Sequence, residues 1–563
     1  MKRALNSFFA FCVLLVAPIM VSAQGGPHEL YIPQPAAGEY LNDLIMSDSL
    51  PNGQRVDPLR VYVLQRGAIY IVRTNIRNQG WVLRIKAANA TGPKPAIFLQ
   101  RNTVSGAIPG RMVDVASDLW LQNLVIAGWY EADPLVIGDI NGSLVEELTT
   151  AGAAIVIDSC VLTSSSGQCI RTTAASRIVR VTNTIFANMG YLGTSNLGAG
   201  KGIDVRNVSC DSLIMVNNTF VNYQDRVIRH FASTANIQFL KFEHNTLANG
   251  MSYHGLLSLG RIGHRAIINN NLLVDAFALG NDTDAVRQAE FTDSGEPDKF
   301  GFPRMTWVMS NPNDSTVWTV QKNYFSISPA QQSFWDSASI LPIVANPPLT
   351  PGAGLTHHIS SRIGADSLNA FQRLDVTLAN IPRLMTAMMK WYRRPTSSGG
   401  AGKTKATTNF SAGFDYDRRI FAYYRDTLDC SYPTSSPLYT AALGGYPVGD
   451  LNWFPSRKHD WEIDPISAVE PIGDIPTTFA LAQNFPNPFN PATKITFTLE
   501  KAGLTTLTVY NILGQKVATV LAKDMTAGTH EVTFDASSFS SGMYFYKLDS
   551  GARSDVKKMM LLK

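Results

Sequence analysis

Three arginines recur at a comparable phase in the middle of the chain. Arg171 and Arg229 each follow an apolar pair by nine positions, counted from Leu162 and Phe220. Arg206 takes the same local setting, Val205-Arg206, after an insertion of about eleven residues around Gly190 to Gly200. Guanidinium forks suit carboxylate and sulfate oxygens. If successive copies stack as strands, neighbours lie about 4.8 Å apart, and like charges at that spacing repel unless an anion or acidic side chains lie between them. Lys201, Arg226, His230, Tyr253 and His254 fall in the same stretch. β-Elimination from a uronic-acid polysaccharide needs a cation on the C5 carboxylate, a base for the C5 proton and help for the departing oxygen. On that chemistry Lys201, Arg229 and His254 are the candidate catalytic residues. Arg171, Arg206, Arg226 and Tyr253 are the candidate substrate contacts.

A purely structural reading stands beside this one. Asp204, Asp225 and Glu243 are near enough in sequence to pair with the arginines, and His230 and His254 suit packing or solvent as well as catalysis. No acidic cluster has the make-up of a calcium cage and no H-E-x-x-H occurs, so no metal or cofactor is expected. Gly399-Gly400-Ala401-Gly402-Lys403-Thr404 imitates the end of a phosphate-binding loop, but Ser397 stands where its first glycine belongs. Arg457-Lys458-His459-Asp460 mixes both charges and reads as a solvated run.

The elements that would carry these side chains are visible as a repeat. Leu121–Ile126, Ile157–Leu162, Thr182–Phe186, Val216–Phe220, Glu243–Leu247, Asn269–Leu273 and Gln321–Phe325 each end in an apolar pair. Aligned on the last residue, the steps are 36, 24, 34, 27, 26 and 52. Steps near 25, lengthened by inserted loops, fit coils of a parallel β-helix whose stacking buries a continuous core. Asn218, Asn245, Asn271 and Asn323 share one phase, with Thr184 and Cys160 there in earlier coils. Asparagine tolerates left-handed backbone and can hydrogen-bond along a stack, so one corner is expected to hold all four. These coils resemble the pectate-lyase-like right-handed β-helix superfamily, including chondroitinase-B-like proteins, over about residues 57 to 345 and more loosely through Trp453. The resemblance implies the fold. That superfamily holds lyases, hydrolases, epimerases and noncatalytic adhesins, so activity does not follow from it. Lys and Arg serve catalysis in its chondroitinase-B-like lyases.

The rest of the chain frames that body. Apolar residues make up 45% of the 563 and charged residues 16%, with 42 Gly and 30 Pro, which favours turn-rich β structure. The net charge of +4 carries no Lys/Arg block, so nucleic acid is not an expected partner. Lys2-Arg3, the apolar run Phe8 to Met20 and Val21-Ser22-Ala23 read as a signal peptide over 1–23, and no later run suits a transmembrane span. A lead-in and cap is expected over 24–56, the β-helix over 57–345, a partly helical decoration over 346–463 and a linker over 464–478. Within the decoration Asp366 to Tyr392 carries helical spacing interrupted by Pro382. Cys160 and Cys169 are open to pairing or to burial as free thiols.

Residues 479–563 form a separate unit, expected as a small β-sandwich from its short alternating strands. Asn484-Phe485-Pro486-Asn487-Pro488-Phe489-Asn490-Pro491, Val509-Tyr510-Asn511-Ile512-Leu513-Gly514-Gln515, Ser541-Gly542-Met543-Tyr544-Phe545-Tyr546 and the terminal Lys557–Lys563 follow in order. Together they resemble the type A C-terminal sorting domain of the type IX (Por) secretion system. The resemblance implies a secreted or cell-surface protein whose tail meets outer-membrane export machinery. Three functions then compete for the body: cleavage of an acidic polysaccharide by β-elimination, binding of such a glycan without cleavage, and a structural role in the envelope.

Overall fold

A computed structural model describes residues 26–102, 106–128, 142–147, 151–190, 199–231, 234–276, 307–308, 311–338, 357–382, 384–398, 400, 402, 421–463, 479–500, 503–525, 528–551 and 553–562. The expected signal peptide, the linker and most of the Gly399–Thr404 run lie outside them. Among the described residues no helix is long and apolar enough to cross a membrane.

The recurring segments are strands that pair in parallel one coil apart. Ile126, Leu162, Phe186, Phe220, Leu247, Leu273 and Phe325 are partners in register, as their sequence phase requires. Among the described residues the strands form three parallel sheets of ten, ten and eight, and each complete coil contributes one strand to each. The first sheet runs from Glu29–Ile32 to Val317–Gln321, and the second from Ile69–Val72 to Phe371–Arg373. The third runs from Ile76–Arg77 to Trp307–Val308. The body is therefore a parallel β-helix. Parallel pairing begins at Glu29, inside the segment expected as a lead-in, because Glu29–Ile32 takes the open edge of Val61–Leu64.

Alternation sends every second side chain inward. Ile85, Leu121, Ile157, Val181, Met215, Phe242, Ile268 and Val320 form one column of the core. Phe186 and Phe220 stack with centroids 4.5 Å apart. Cys160, Cys169 and Cys210 are free thiols buried in this packing, with no disulfide between Cys160 and Cys169, and Cys430 is a free thiol buried outside it.

At the corner between the first and second sheets the four asparagines form a ladder. Asn245 Oδ1 accepts from the Asn218 backbone N–H at 3.1 Å and from its Nδ2 at 3.0 Å. Asn271 does the same for Asn245, and Asn323 for Asn271. Each amide also donates to a backbone carbonyl near the end of the first-sheet strand one coil earlier: Val181, Met215, Phe242 and Ile268. Asn218, Thr184 and Cys160 continue the series downward. The left-handed backbone expected of these asparagines belongs instead to the residue before each. Asn217, His244, Asn270 and Lys322 have φ between 51° and 61°. The turn and the ladder are thus carried by adjacent residues.

The segment after the last coil departs from its expected helix. A 3-10 helix over Gly364–Asn369 reaches into its start, and α-helix forms over Leu384–Arg393, beyond Pro382, whose missing N–H and ring bar a helix running through it, as the interruption in the sequence implies. Phe371–Arg373 is a strand that pairs with Asn323–Ser326 and covers the open edge of the second sheet. Residues 421–463 return along the outside of the solenoid and bury Tyr424, Leu428, Tyr432, Leu438 and Leu451 against outward residues such as Val156, Ile178 and Ile214. The tail is a sandwich of a three-stranded and a four-stranded antiparallel sheet around Ile495, Phe497, Leu507, Val509, Tyr546 and Leu548.

Asn245→Ala removes an acceptor used twice by Asn218 and leaves buried groups unpaired on both sides. A loss of about 1–3 kcal/mol for each unsatisfied group is expected. Chemical denaturation should therefore show a much larger midpoint shift than Gln372→Ala, a change outside the ladder.

Candidate functional site

Two groups of charged side chains stand out, one on the outer face of the third sheet and one inside a corner. The outer group follows from register. Arg77, Asp114, Glu146, Arg171, Asp204, Arg229 and Ser258 are successive partners across the coils. Asp204, not Arg206, lies between Arg171 and Arg229. The three arginines therefore do not stack on one another, which corrects the column expected from sequence. Arg206 sits two residues beyond Asp204 on the same face and reaches back to it, Nε to Oδ2 3.1 Å.

Each of two carboxylates serves two guanidiniums. Glu146 holds Arg111 and Arg171, both at 3.0 Å. Asp204 holds Arg206 and, at 3.3 Å, Arg229. The acids are nearly inaccessible, while the side chains of Arg171, Arg206 and Arg229 keep 27%, 38% and 20% of their surface in solvent. Burial together with the nearby Arg229 and Arg171 charges pulls the Arg206 pKa down, partly offset by Asp204 and Glu146. With Arg77 on Asp114 at 2.8 Å, five arginines face three carboxylates along this stripe among the described residues.

The second group occupies the corner between the second and third sheets. Lys201 opens its strand on the side of Ile203 and Val205, which are core residues, so its side chain turns inward. The preceding Gly200 has φ +86°, and a Cβ there would come within 2.5 Å of the Met189 carbonyl oxygen. The next coil supplies Asp225 and Arg226, and the one after it Tyr253 and His254. Lys201 Nζ lies 3.2 Å from Asp225 Oδ2. Asp225 Oδ1 accepts from the His254 backbone N–H at 3.0 Å and lies 3.0 Å from His254 Nδ1. Arg226 Nε stands 3.8 Å from the same oxygen. Tyr253 packs edge-on against His254, and Tyr392 of the helix Leu384–Arg393 closes over it with centroids 5.7 Å apart.

Burial alone would raise the Asp225 pKa, but His254, Lys201 and Arg226 outweigh it and hold the carboxyl well below the usual range. Burial lowers the Lys201 pKa against the pull of Asp225 and Asp204. His230 is a packed residue, its ring nitrogens 3.0 and 3.2 Å from the carbonyl oxygens of Leu259 and Val208.

The structure thus gathers four of the seven sequence-selected residues, Lys201, Arg226, Tyr253 and His254, around Asp225. It places Arg171, Arg206 and Arg229 on the outer face. Asp204 and Asp225 were in view as partners. Glu146 was missed, although it lies 25 residues before Arg171, one coil's length. Among the described residues no group of three or more His, Cys, Asp and Glu could hold a metal.

Residues 483–562 match the family described as the secretion system C-terminal sorting domain. The tail is accordingly a type IX sorting domain, and the protein is exported to the cell surface or the extracellular space. No curated protein and no solved structure matches the chain.

Two outcomes follow from these assignments. Removing residues 479–563 should leave a folded body retained inside the outer membrane, read by cell fractionation; surface delivery of the truncated chain would refute dependence on the tail. Asp225→Ala should cost about 3–5 kcal/mol by removing the carboxylate that buried Lys201, Arg226 and His254 share, and Lys201→Met in the same chain should recover much of it. Because the folded-state pKa of Asp225 lies below its unfolded value of about 3.9, its contribution is complete above that pH. It is lost as pH falls toward the folded pKa, and unfolding curves at neutral and acid pH should differ less in the double variant.

Proposed function

We propose that this exported β-helix binds an acidic polysaccharide along the outer face of the third sheet and does not cleave it. The sharing of each carboxylate by two guanidiniums carries the reading. Glu146 and Asp204 relieve repulsion within the stripe, so it folds without a ligand, yet they leave an excess of arginine partly in solvent. Such an excess makes a positive face that attracts an anionic chain. Arg171, Arg206 and Arg229 then contact carboxylate or sulfate groups spaced along the glycan, two of them through guanidiniums already oriented by Asp204.

The groups that elimination would use argue against cleavage. A base must reach the C5 proton while a cation holds the adjacent carboxylate. Lys201 and His254 turn into the corner and hold Asp225, whereas Arg229 faces outward on Asp204. Arg226 and Tyr253 are buried with the former pair. These four residues are positioned to brace three coils, with Asp225 as their common partner.

Arg229→Ala should weaken binding to polygalacturonate, alginate or chondroitin sulfate by about 1–3 kcal/mol, and binding should fall as salt rises. Incubation with each glycan should produce no unsaturated-uronate absorbance. Appearance of that absorbance would establish a lyase. Absence of binding to all three would favour a structural role in the envelope.

A further inference from the structure

A cavity of about 350 Å³ opens on the outer face of the first sheet and shares no residue with the arginine stripe or the Asp225 corner. Register assembles it from three coils. Arg84, Trp120 and Val156 are neighbours in one outward column, and Lys86, Gln122 and Asp158 in the next. At about 4.8 Å between strands, each column offers a run of side chains about 10 Å long. Trp120 is only partly buried and packs against the outer apolar cluster that holds Val156, itself at 2% exposure. One part of the indole therefore lines the cavity while the rest is anchored.

The polar rim is held in place. Asp158 accepts from Thr182 Oγ1 and Asn183 Nδ2, both at 2.7 Å, and from Gln122 Nε2 at 3.3 Å. Its charge is thus turned toward the protein. Lys86 is fixed by an ion pair with Glu29. Arg84 borders the indole from the coil before it. The cavity falls within the size of small-ligand sites, and an indole with polar groups at its edge is suited to an object with one apolar face and a polar perimeter. A pyranose ring has that form, with axial C–H bonds on a face and hydroxyls around the edge.

We infer that this cavity seats one ring of an acidic glycan. The indole of Trp120 carries the C–H face, Arg84 and Lys86 take the ring's carboxylate, and Gln122 takes a hydroxyl. The inference rests on the binding reading above and adds to it an aromatic subsite on a different face, so that a long chain has two separate points of attachment. Sequence reasoning passed over it because Trp120 lies in no motif. Its signal is the outward phase shared by Arg84, Trp120 and Val156, which emerges only when whole strands are aligned.

Affinity electrophoresis of the full chain in gels containing polygalacturonate, with neutral xylan as control, tests the inference. Trp120→Ala should weaken polygalacturonate binding about tenfold, and Trp120→Phe should keep most of it. Arg84→Gln should weaken polygalacturonate binding several-fold, read well below the melting temperature of the variant. If Trp120→Ala destabilises the fold, the Trp120→Phe and Arg84→Gln pair decides. Unchanged affinity in Arg84→Gln, with loss in Arg229→Ala, overturns the subsite and leaves the binding reading standing. A wild-type chain that migrates alike with and without polygalacturonate overturns both. Loss of xylan retardation equal to that of polygalacturonate in Arg84→Gln overturns the acidic specificity assigned to the subsite.

Discussion

Each coil lies on the one before it at the spacing of hydrogen-bonded strands, about 4.8 Å, and that contact fixes the neighbours of every side chain. A residue's phase sets its face and the residues it meets above and below. In the interior this works for any apolar type, so Ile, Leu, Val, Met and Phe follow one another in a column from Ile85 to Val320. At the asparagine corner it favours one type, because an amide both donates and accepts. Copies of Asn can satisfy one another indefinitely, and the series ends where Asn323 Nδ2 donates to the Ala370 carbonyl in the closing segment.

Charges obey the opposite rule under the same stacking. A column of guanidiniums cannot satisfy itself, so the third sheet interleaves acids with arginines, and Asp204 stands between Arg171 and Arg229. Where solvent screens the stripe, imbalance is tolerated and a net positive face remains. Inside the corner, where little solvent reaches, one carboxylate is shared more widely still: Asp225 lies within 4 Å of Lys201, His254 and Arg226. An ion pair of this type adds little over apolar packing but is costly to break, so it holds three coils in one mutual register. One constraint therefore yields a positive stripe where it meets water and a brace where it does not.

The decoration belongs to this same stacking. Asn188, Asn222 and Asn249 form a second column, each in left-handed backbone with φ of 53° to 55°. Their amides meet Tyr424 Oη from the returning segment and the Pro382 carbonyl from the stretch before it. Asp450 is buried where that segment crosses the second sheet and accepts from Thr219 Oγ1 at 2.7 Å. Burial pushes its pKa up to about 7 against the hydrogen bonds from Asn452 and Thr219. The contacts of Tyr424 and Asp450 span more than two hundred residues of sequence and tie 421–463 into the solenoid. The sorting domain, by contrast, builds a core from its own residues alone.

The sequence by itself determined the coil repeat, the asparagine ladder, the separate sandwich and its sorting motifs. All of these depend on local periodicity or on residues whose physics repeats from coil to coil. It also singled out Lys201, Arg226, Tyr253 and His254, because charged and aromatic residues are conspicuous in an apolar repeat. Their grouping was not legible, since it depends on Lys201 sharing the inward parity of Ile203 and on the turn that presents Asp225. The mistaken arginine column has the same origin: an insertion of uncertain length between Met189 and Lys201 hid which residue, Asp204 or Arg206, would face Arg171. The strand at Phe371–Arg373 was equally hidden, because an open sheet edge elsewhere in the chain overrode its helical spacing. Only tertiary structure decides such points, because strand register is set by the neighbouring coil and a shift of one residue exchanges the two faces.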